Sequence, residues 1–261
     1  MMKRGDHMLF HIGDYVTRKS HNHDTIFKII DLQGTYAILK GHDVRLIADS
    51  DIDDLVKVTE PIPSTDQELE SRIDSLLPQD RNEYFYLPGK ILHIDADDEY
   101  LNRCIEFYKK LNIMAYGVKL NERSIGPSIT KYLEDLNPDI VVITGHDAYY
   151  RNKDEYKNSD YFVDAVKMAR KYEKSHDKLI IVAGACQSNY EEIIKAGANF
   201  ASSPKRINIH ALDPAIIASS ISLSLKNKPI DLLNILSKTK YGPDGIGGLV
   251  TTGTMYVGYP R

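Results

Sequence analysis

Asp139-Ile140-Val141-Val142-Ile143-Thr144-Gly145-His146-Asp147 is an apolar run that stops at a glycine, and Lys178-Leu179-Ile180-Ile181-Val182-Ala183-Gly184-Ala185-Cys186-Gln187 repeats the form further along. Neither run alternates apolar with polar residues, so each reads as a strand covered on both faces, as strands of a parallel sheet are. Around them the chain alternates strand with helix. Ile91 to Asp95 is a short apolar strand, and Asp97-Asp98 start a helix whose Leu101, Cys104, Ile105, Tyr108 and Leu111 recur at helical spacing. A strand over Met114 to Leu120 precedes a helix from about Pro127 to Leu136, closed by Asn137-Pro138. A polar excursion, Tyr149 to Ser159, leads to a helix near Tyr161 to Tyr172. A helix after Ser188 and a short strand over Asn199 to Ser202 follow. The expected fold is α/β, a parallel sheet with helices on both faces. Ile230 to Leu236 reads as a helix, and the Gly-rich stretch Gly242 to Tyr259 as a turn and hairpin.

The N-terminal part is built differently. Between residues 9 and 58, short runs such as Thr25 to Ile30, Thr35 to Leu39 and Val44 to Ile47 are separated by Gly13-Asp14, Gln33-Gly34 and Gly41-His42. That spacing predicts a small antiparallel barrel, similar to SH3-like barrels, with a docking or regulatory role. Pro61, Pro63, Pro78 and Pro88, with Ser64-Thr65-Asp66 and Gln67-Glu68-Leu69-Glu70, mark a linker carrying one short helix. The expected division is therefore 1–58, barrel; 59–88, linker; and 89–261, α/β domain.

Composition bounds the function. The 261 residues are 42% hydrophobic and 27% charged, which is globular and not a disordered or collagen-like composition. Lys plus Arg number 33 against 37 for Asp plus Glu, a net charge of −4, so no nucleic-acid partner is expected. Met1 to His7 carries no apolar segment of a secretory signal, and no run approaches the roughly 18 residues of a membrane span. A soluble, cytoplasmic protein is expected. Two cysteines, Cys104 and Cys186, make no disulfide framework and fit a reducing compartment.

Those two cysteines differ. Cys104 lies on the core stripe of its helix and reads as a small buried hydrophobe. Cys186 follows one apolar strand and His146 another, and ligands of open α/β sheets collect beyond the carboxyl ends of strands. If the strands are neighbours, a thiol and an imidazole meet at one sheet edge, the two parts of a nucleophile and its base. Ser188-Asn189-Tyr190-Glu191 fits a capping box, which would set a helix N-terminus near Cys186 and favour its thiolate. Backbone N–H groups of the turn, including that of Cys186, could face a developing oxyanion.

A strand ending in His beside glycine, followed by a strand ending in Ala-Cys, resembles the caspase, gingipain and clostripain group of cysteine peptidases. Phe10 to Val16, Leu87 to Asp95, Thr144 to Asp147, Ala183 to Tyr190 and Val257 to Pro260 together make the whole chain similar to the YabG family of sporulation-specific proteases. The resemblance implies a cysteine endopeptidase acting on spore coat and cortex-related proteins, made in the mother cell and active in the developing spore coat. It implies a His146 and Cys186 dyad, with the backbone N–H groups of Asp147 and Cys186 as oxyanion donors. Asp147 stands where the caspase-like pattern has glycine. Relatives that cleave after a basic residue imply a carboxylate for it, and Asp147 or Asp213 would supply one. No cofactor and no metal are expected.

The rival reading is a non-catalytic receiver module of flavodoxin-like topology. Ile94-Asp95-Ala96-Asp97-Asp98 resembles a receiver's acidic cluster, and Ala196-Gly197-Ala198 with Pro204-Lys205 its fifth-strand end. A receiver needs an aspartate at the end of its third strand, where Val142-Ile143-Thr144-Gly145 has none. His7, His11, His21 and His23 lack the paired cysteines of common zinc sites and read as loop histidines. No G-x-S-x-G elbow supports a serine hydrolase, and no G-x-x-x-x-G-K loop supports nucleotide phosphate binding.

Overall fold

The structure is a computed structural model and describes residues 10–59, 62, 65–73 and 84–259. Met1 to His7, Pro61, Pro63, Pro78 and Pro260 lie outside the described residues. Two units divide at Ser64 and Thr65.

In the first unit the short runs become β1 (Tyr15–Arg18), β2 (Phe27–Gln33), β3 (Tyr36–Gly41), β4 (Ile47–Asp51) and β5 (Leu55–Lys57). They form one antiparallel sheet in the order β4-β3-β2-β1-β5. Val16, Phe27, Ile29, Ala37 and Leu39 are its buried face, spaced two apart within β2 and β3 as the pleat requires. Gly34, at φ +64, makes the turn between those two strands, in the left-handed region where a Cβ is penalised. His21 and His23 hydrogen-bond locally with Ser20 and Thr17.

The second unit begins with α1 (Asp66–Ser71) and β6 (Phe85–Leu87). It continues through β7 (Ile91–Asp95), α2 (Asp98–Lys110), β8 (Ala115–Lys119), α3 (Glu122–Leu136) and β9 (Ile140–Thr144). The polar excursion holds a two-stranded hairpin, β10 (Tyr149–Tyr150) and β11 (Glu155–Tyr156). Then come α4 (Ser159–Tyr172), β12 (Ile180–Ala183), α5 (Tyr190–Lys195), β13 (Phe200–Ser202) and α6 (Asp213–Ser222). The last elements are α7 (Leu232–Ser237), β14 (Ile246–Gly248) and β15 (Tyr256–Gly258).

The six-stranded sheet has the order β14-β13-β12-β9-β7-β8. Its inner strands are parallel, but β14 runs antiparallel to β13, so the sheet is mixed and not wholly parallel as expected. Every residue of β7, β9 and β12 is buried, which is why their sequences read as unbroken apolar runs. Side chains on alternate positions enter two cores. Ile91, Ile140, Val142, Ile180 and Val182 pack against α1, α2, α6 and α7. Leu92, Val141, Ile143, Ile181 and Ala183 pack against α3, α4 and α5. Burying each of the Leu, Ile and Val side chains stabilises by about 1.5–3 kcal/mol.

Three local features depart from the sequence expectation. The helix predicted from Pro127 starts at Glu122, so Pro127 lies inside α3 and forgoes one backbone bond. Gly126 beside it faces the α4 backbone, where a Cβ would lie in ordinary contact, 3.6 Å from the Ala165 nitrogen. All ten residues of α6 are buried, which removes the polar face that makes a helix legible. The predicted C-terminal hairpin does not form: β14 joins β13, whereas β15 pairs with β6. No helix among the described residues is long and apolar enough to cross a membrane.

Candidate active site

The chain runs from β7 to β8 on one side and then returns to β9 on the other, so the order of strands switches between β7 and β9. The crevice outside their carboxyl ends is the place where a doubly wound sheet offers a ligand site. Asp95 pairs with Thr144 across this switch point. Two residues beyond each lie Asp97 and His146, and they meet: His146 Nε2 is 3.1 Å from Asp97 Oδ2. On the other side of β9, Ile143 pairs with Ala183 of β12. His146 and Cys186 each lie three residues beyond that pair, so the structure makes their strands neighbours and sets both residues at one sheet edge.

His146 is fixed from three directions. Its backbone N–H donates to Glu122 Oε1 at 2.9 Å, and its carbonyl accepts from Asn158 Nδ2 at 2.7 Å. Its ring lies 5.7 Å from the Tyr100 ring, centre to centre. Gly145 permits this approach, since a Cβ there would come within 2.8 Å of Glu122 Oε1 and 3.0 Å of the Ala96 Cβ. The ring's Nδ1 is buried and has no hydrogen-bond partner among the described residues.

Cys186 is fully buried. Its Sγ accepts from the Ile209 N–H at 3.3 Å and lies 3.7 Å from the Ile209 carbonyl. No hydrogen bond joins it to His146, whose Nδ1 is unpartnered. The next residue, Gln187, adopts φ +57 and donates its N–H to Ile207 O at 3.1 Å and to Ser203 Oγ at 3.0 Å. Its side chain accepts from the Tyr149 N–H at 3.3 Å and donates to Asn208 Oδ1 at 3.2 Å. The turn carrying Cys186 is therefore held between β10 and the segment that follows β13.

The carboxylates expected to meet a basic substrate are placed differently. Asp147 is buried, and its Oδ1 accepts from the Ala148 and Asn158 N–H groups, both at 2.8 Å. Its Oδ2 accepts from Ser159 Oγ at 2.5 Å and Ser188 Oγ at 2.9 Å. Burial pushes this carboxyl above the ordinary aspartate range, and the four hydrogen bonds pull part of the way back. Asp213, also buried, accepts from the His210 N–H at 2.9 Å and the Lys240 N–H at 2.7 Å. Both carboxylates are engaged by internal donors.

Ser188 does not cap α5. Asn189 does so, accepting from the Glu192 N–H at 3.3 Å, and the helix has only six residues. The Ser188 hydroxyl instead accepts from the Ala185 N–H at 2.9 Å while donating to Asp147. The N-terminus of α5 therefore stands one residue further from Cys186 than a Ser188 cap would set it.

Under the site runs a buried polar row. His93 Nδ1 lies 2.9 Å from the Tyr108 hydroxyl, and His93 Nε2 lies 2.9 Å from Thr144 Oγ1. Thr144 Oγ1 in turn donates to Asp95 Oδ2 at 2.7 Å, and Asp95 Oδ1 accepts from the Asp97 N–H at 2.9 Å. The pattern Ile94 to Asp98, taken in the sequence as a receiver-like acidic cluster, is thus partly internal structure: Asp95 is fully buried and Asp97 caps α2. Asp97 and Glu122 are the residues the sequence reading missed around His146. Asp97 was legible as a helix start, whereas its partner 49 positions away was not. Cys104 is buried on α2 as its spacing predicts, donating toward Ala211 O at 3.5 Å.

Comparison with known proteins agrees with the sequence resemblance. The family model described as YabG peptidase U57 matches residues 11–260. The curated "Sporulation-specific protease YabG" of Bacillus subtilis (strain 168) is 42% identical, over 97% of this chain and 99% of that protein. Among solved structures, the A domain of carboxylic acid reductase from Segniliparus rugosus aligns at a TM-score of 0.32 and 12% identity. That alignment covers 71% of this chain and 24% of the reductase chain, and a likeness so slight supports no conclusion. The receiver reading is not favoured by these matches. By its family match and the extent of its identity, the chain belongs to the YabG peptidase U57 family and is a peptidase.

Proposed function

We propose that this peptidase is a sporulation-specific cysteine endopeptidase that processes spore coat and cortex-related proteins, with Cys186 as nucleophile and His146 as its base. The observation that carries the reading is the common offset of His146 and Cys186 from the paired Ile143 and Ala183, together with the buried, unpartnered Nδ1 of His146. In the reaction the Cys186 thiol gives its proton to Nδ1, and the thiolate adds to the scissile carbonyl. The oxyanion is received by the backbone N–H groups of Asp147 and Cys186. Collapse of this intermediate breaks the C–N bond, and the imidazolium returns its proton to the leaving amine. Water, deprotonated by His146, then hydrolyses the thioester and restores the thiol.

Before attack the thiol must leave the Ile209 backbone that holds it in the structure. Asp147 and Asp213 act from behind the reacting groups in this reading, fixing the loops that carry them. The second unit is the peptidase domain, read as caspase-like, and takes in α1, whose Leu69 is part of its core. The first unit, with β5 beside β1, is read as an SH3-like barrel that docks substrate or restrains activity. The name of the B. subtilis relative supports action during sporulation, and the mother cell and developing spore coat are where this reading places it.

The test compares wild type, Cys186→Ala and His146→Ala on an extract of spore coat proteins. Both variants should lose cleavage by at least a hundredfold while remaining folded. Cleavage by Cys186→Ala at the wild-type rate would overturn the nucleophile.

A further inference from the structure

We propose that Asp97 is a positioning residue for His146, holding the neutral imidazole in the tautomer that leaves Nδ1 free to take the thiol proton; this rests on the dyad reading above. Three observations carry it. The Asp97 carboxylate is spread over two tasks: Oδ1 accepts from the Glu99 and Tyr100 N–H groups at 2.9 and 3.2 Å, while Oδ2 faces His146 Nε2 at 3.1 Å. An ionised carboxylate only accepts hydrogen bonds, so the neutral ring must carry its proton on Nε2. That leaves a lone pair on Nδ1, the ring atom that is buried without a partner.

The aspartate is itself immobilised. As the N-cap of the thirteen-residue α2 it cannot swing away without freeing two helix N–H groups, and Asp95 Oδ1 accepts its own N–H at 2.9 Å. The ring cannot rotate freely either, since Tyr100 flanks it and Glu122 holds its backbone. The contact spans the switch point of the sheet, where β7 and β9 deliver Asp97 and His146 at matched positions. During the reaction no bond to Asp97 is made or broken. The proton moves from Cys186 Sγ to His146 Nδ1, and the Nε2–H stays donated to Oδ2 of an anion that faces the new imidazolium.

Asp97→Asn separates this role from helix capping. The amide oxygen can still accept from Glu99 and Tyr100, but its NH2 then faces Nε2, which must become the acceptor. The proton is driven to Nδ1, where it blocks uptake of the thiol proton. We expect kcat on a spore coat protein extract to fall about 10²–10⁴-fold with KM unchanged. The ¹⁵N spectrum of histidine-labelled protein, with the His146 signals assigned by their loss in His146→Gln, should show protonated Nε2 in wild type and protonated Nδ1 in Asp97→Asn. Asp97→Ser, which keeps a capping hydroxyl and lacks the carboxylate, should show the same loss of kcat and serves if the amide variant does not fold. Wild-type kcat in either folded variant, or an Nε2–H tautomer persisting in Asp97→Asn, would overturn the proposal. An active Cys186→Ala would instead overturn the dyad reading.

Discussion

The Ser188 hydroxyl donates to Asp147 Oδ2 at 2.9 Å and at the same time accepts from the Ala185 N–H at 2.9 Å. The residue after His146 is thereby joined through one oxygen atom to the residue before Cys186. Two loops that leave neighbouring strands are tied at the point where the proposed base and nucleophile stand, and the tie is fully buried.

Ser188→Ala cuts that tie. It leaves the buried Ala185 N–H without its acceptor and removes one of four donors to Asp147, which keeps the other three, so the cost is about 1–3 kcal/mol, chiefly from the one unsatisfied N–H. Urea unfolding should give a lower midpoint with an unchanged slope. Because the loop carrying Cys186 loses its fixed distance from the loop carrying His146, kcat should fall more than KM rises. A variant as stable and active as wild type would show that the tie carries neither load.

Asp147 gives the stability a definite pH dependence. Its carboxyl is raised by burial, so between the ordinary aspartate value and the raised one the folded protein holds a proton the unfolded chain has released. Stability from this group is therefore full below the ordinary value and is lost as pH rises through the raised one. Asp147→Asn has no such charge to bury, and its amide oxygen can still accept from Ala148 and Asn158. The difference in unfolding free energy, wild type minus Asp147→Asn, should shrink with rising pH across that window. A difference that grows with pH would mean the hydrogen bonds outweigh desolvation and that the sign is reversed.

Gly145→Ala tests the close approach of α3 to the site. The added Cβ would meet Glu122 Oε1 at 2.8 Å, which can retreat only by releasing the His146 N–H, and the Ala96 Cβ at 3.0 Å. We expect a loss of about 1–3 kcal/mol from overpacking. Removing the Glu122 head in Gly145→Ala/Glu122→Ala should recover part of that loss, so the two substitutions will be non-additive. Strict additivity would place the strain elsewhere, at Ala96.

What was legible in the sequence followed from burial. β9 and β12 are buried on both faces, so Ile140 to Thr144 and Ile180 to Ala183 stand out as unbroken runs, and their ends mark His146 and Cys186. α6 was silent for the same reason taken further: with Ala215, Ser219 and Ser222 buried on every side, no polar stripe reports its period. The tail misled because Val257 pairs with Tyr86, a partner that no local pattern can announce. Ser188-Asn189-Tyr190-Glu191 satisfied a capping rule that depends on which hydroxyl is free, and the Ser188 hydroxyl was already held by Ala185 and Asp147. Asp97 was readable as the start of α2, but its bond to His146 exists only because the sheet sets β7 beside β9.

The two thiols should separate by the size of the opening each needs. Neither is exposed, so alkylation of native protein must pass through a fluctuation. Cys104 sits on α2 in a core shared with β9, β12 and α6, and exposing it requires the domain to unfold. Cys186 is covered by Ile209 in the segment between β13 and α6, where Ser203 and Arg206 hold φ values of +70 and +53 without being glycine. Such conformations cost about 1–3 kcal/mol each and make that segment the cheaper one to displace. Arg206 pins it, its Nε donating to the Tyr156 hydroxyl at 2.9 Å and its guanidinium lying 4.8 Å from the Tyr149 ring centre. Iodoacetamide should therefore label Cys186 with a shallow urea dependence and Cys104 with the steep dependence of global unfolding. Arg206→Ala should accelerate labelling of Cys186 and leave that of Cys104 tied to global stability. Parallel urea slopes for both thiols would mean that the cover over Cys186 opens only when the whole domain does, and the route by which substrate reaches the thiol would have to be sought elsewhere.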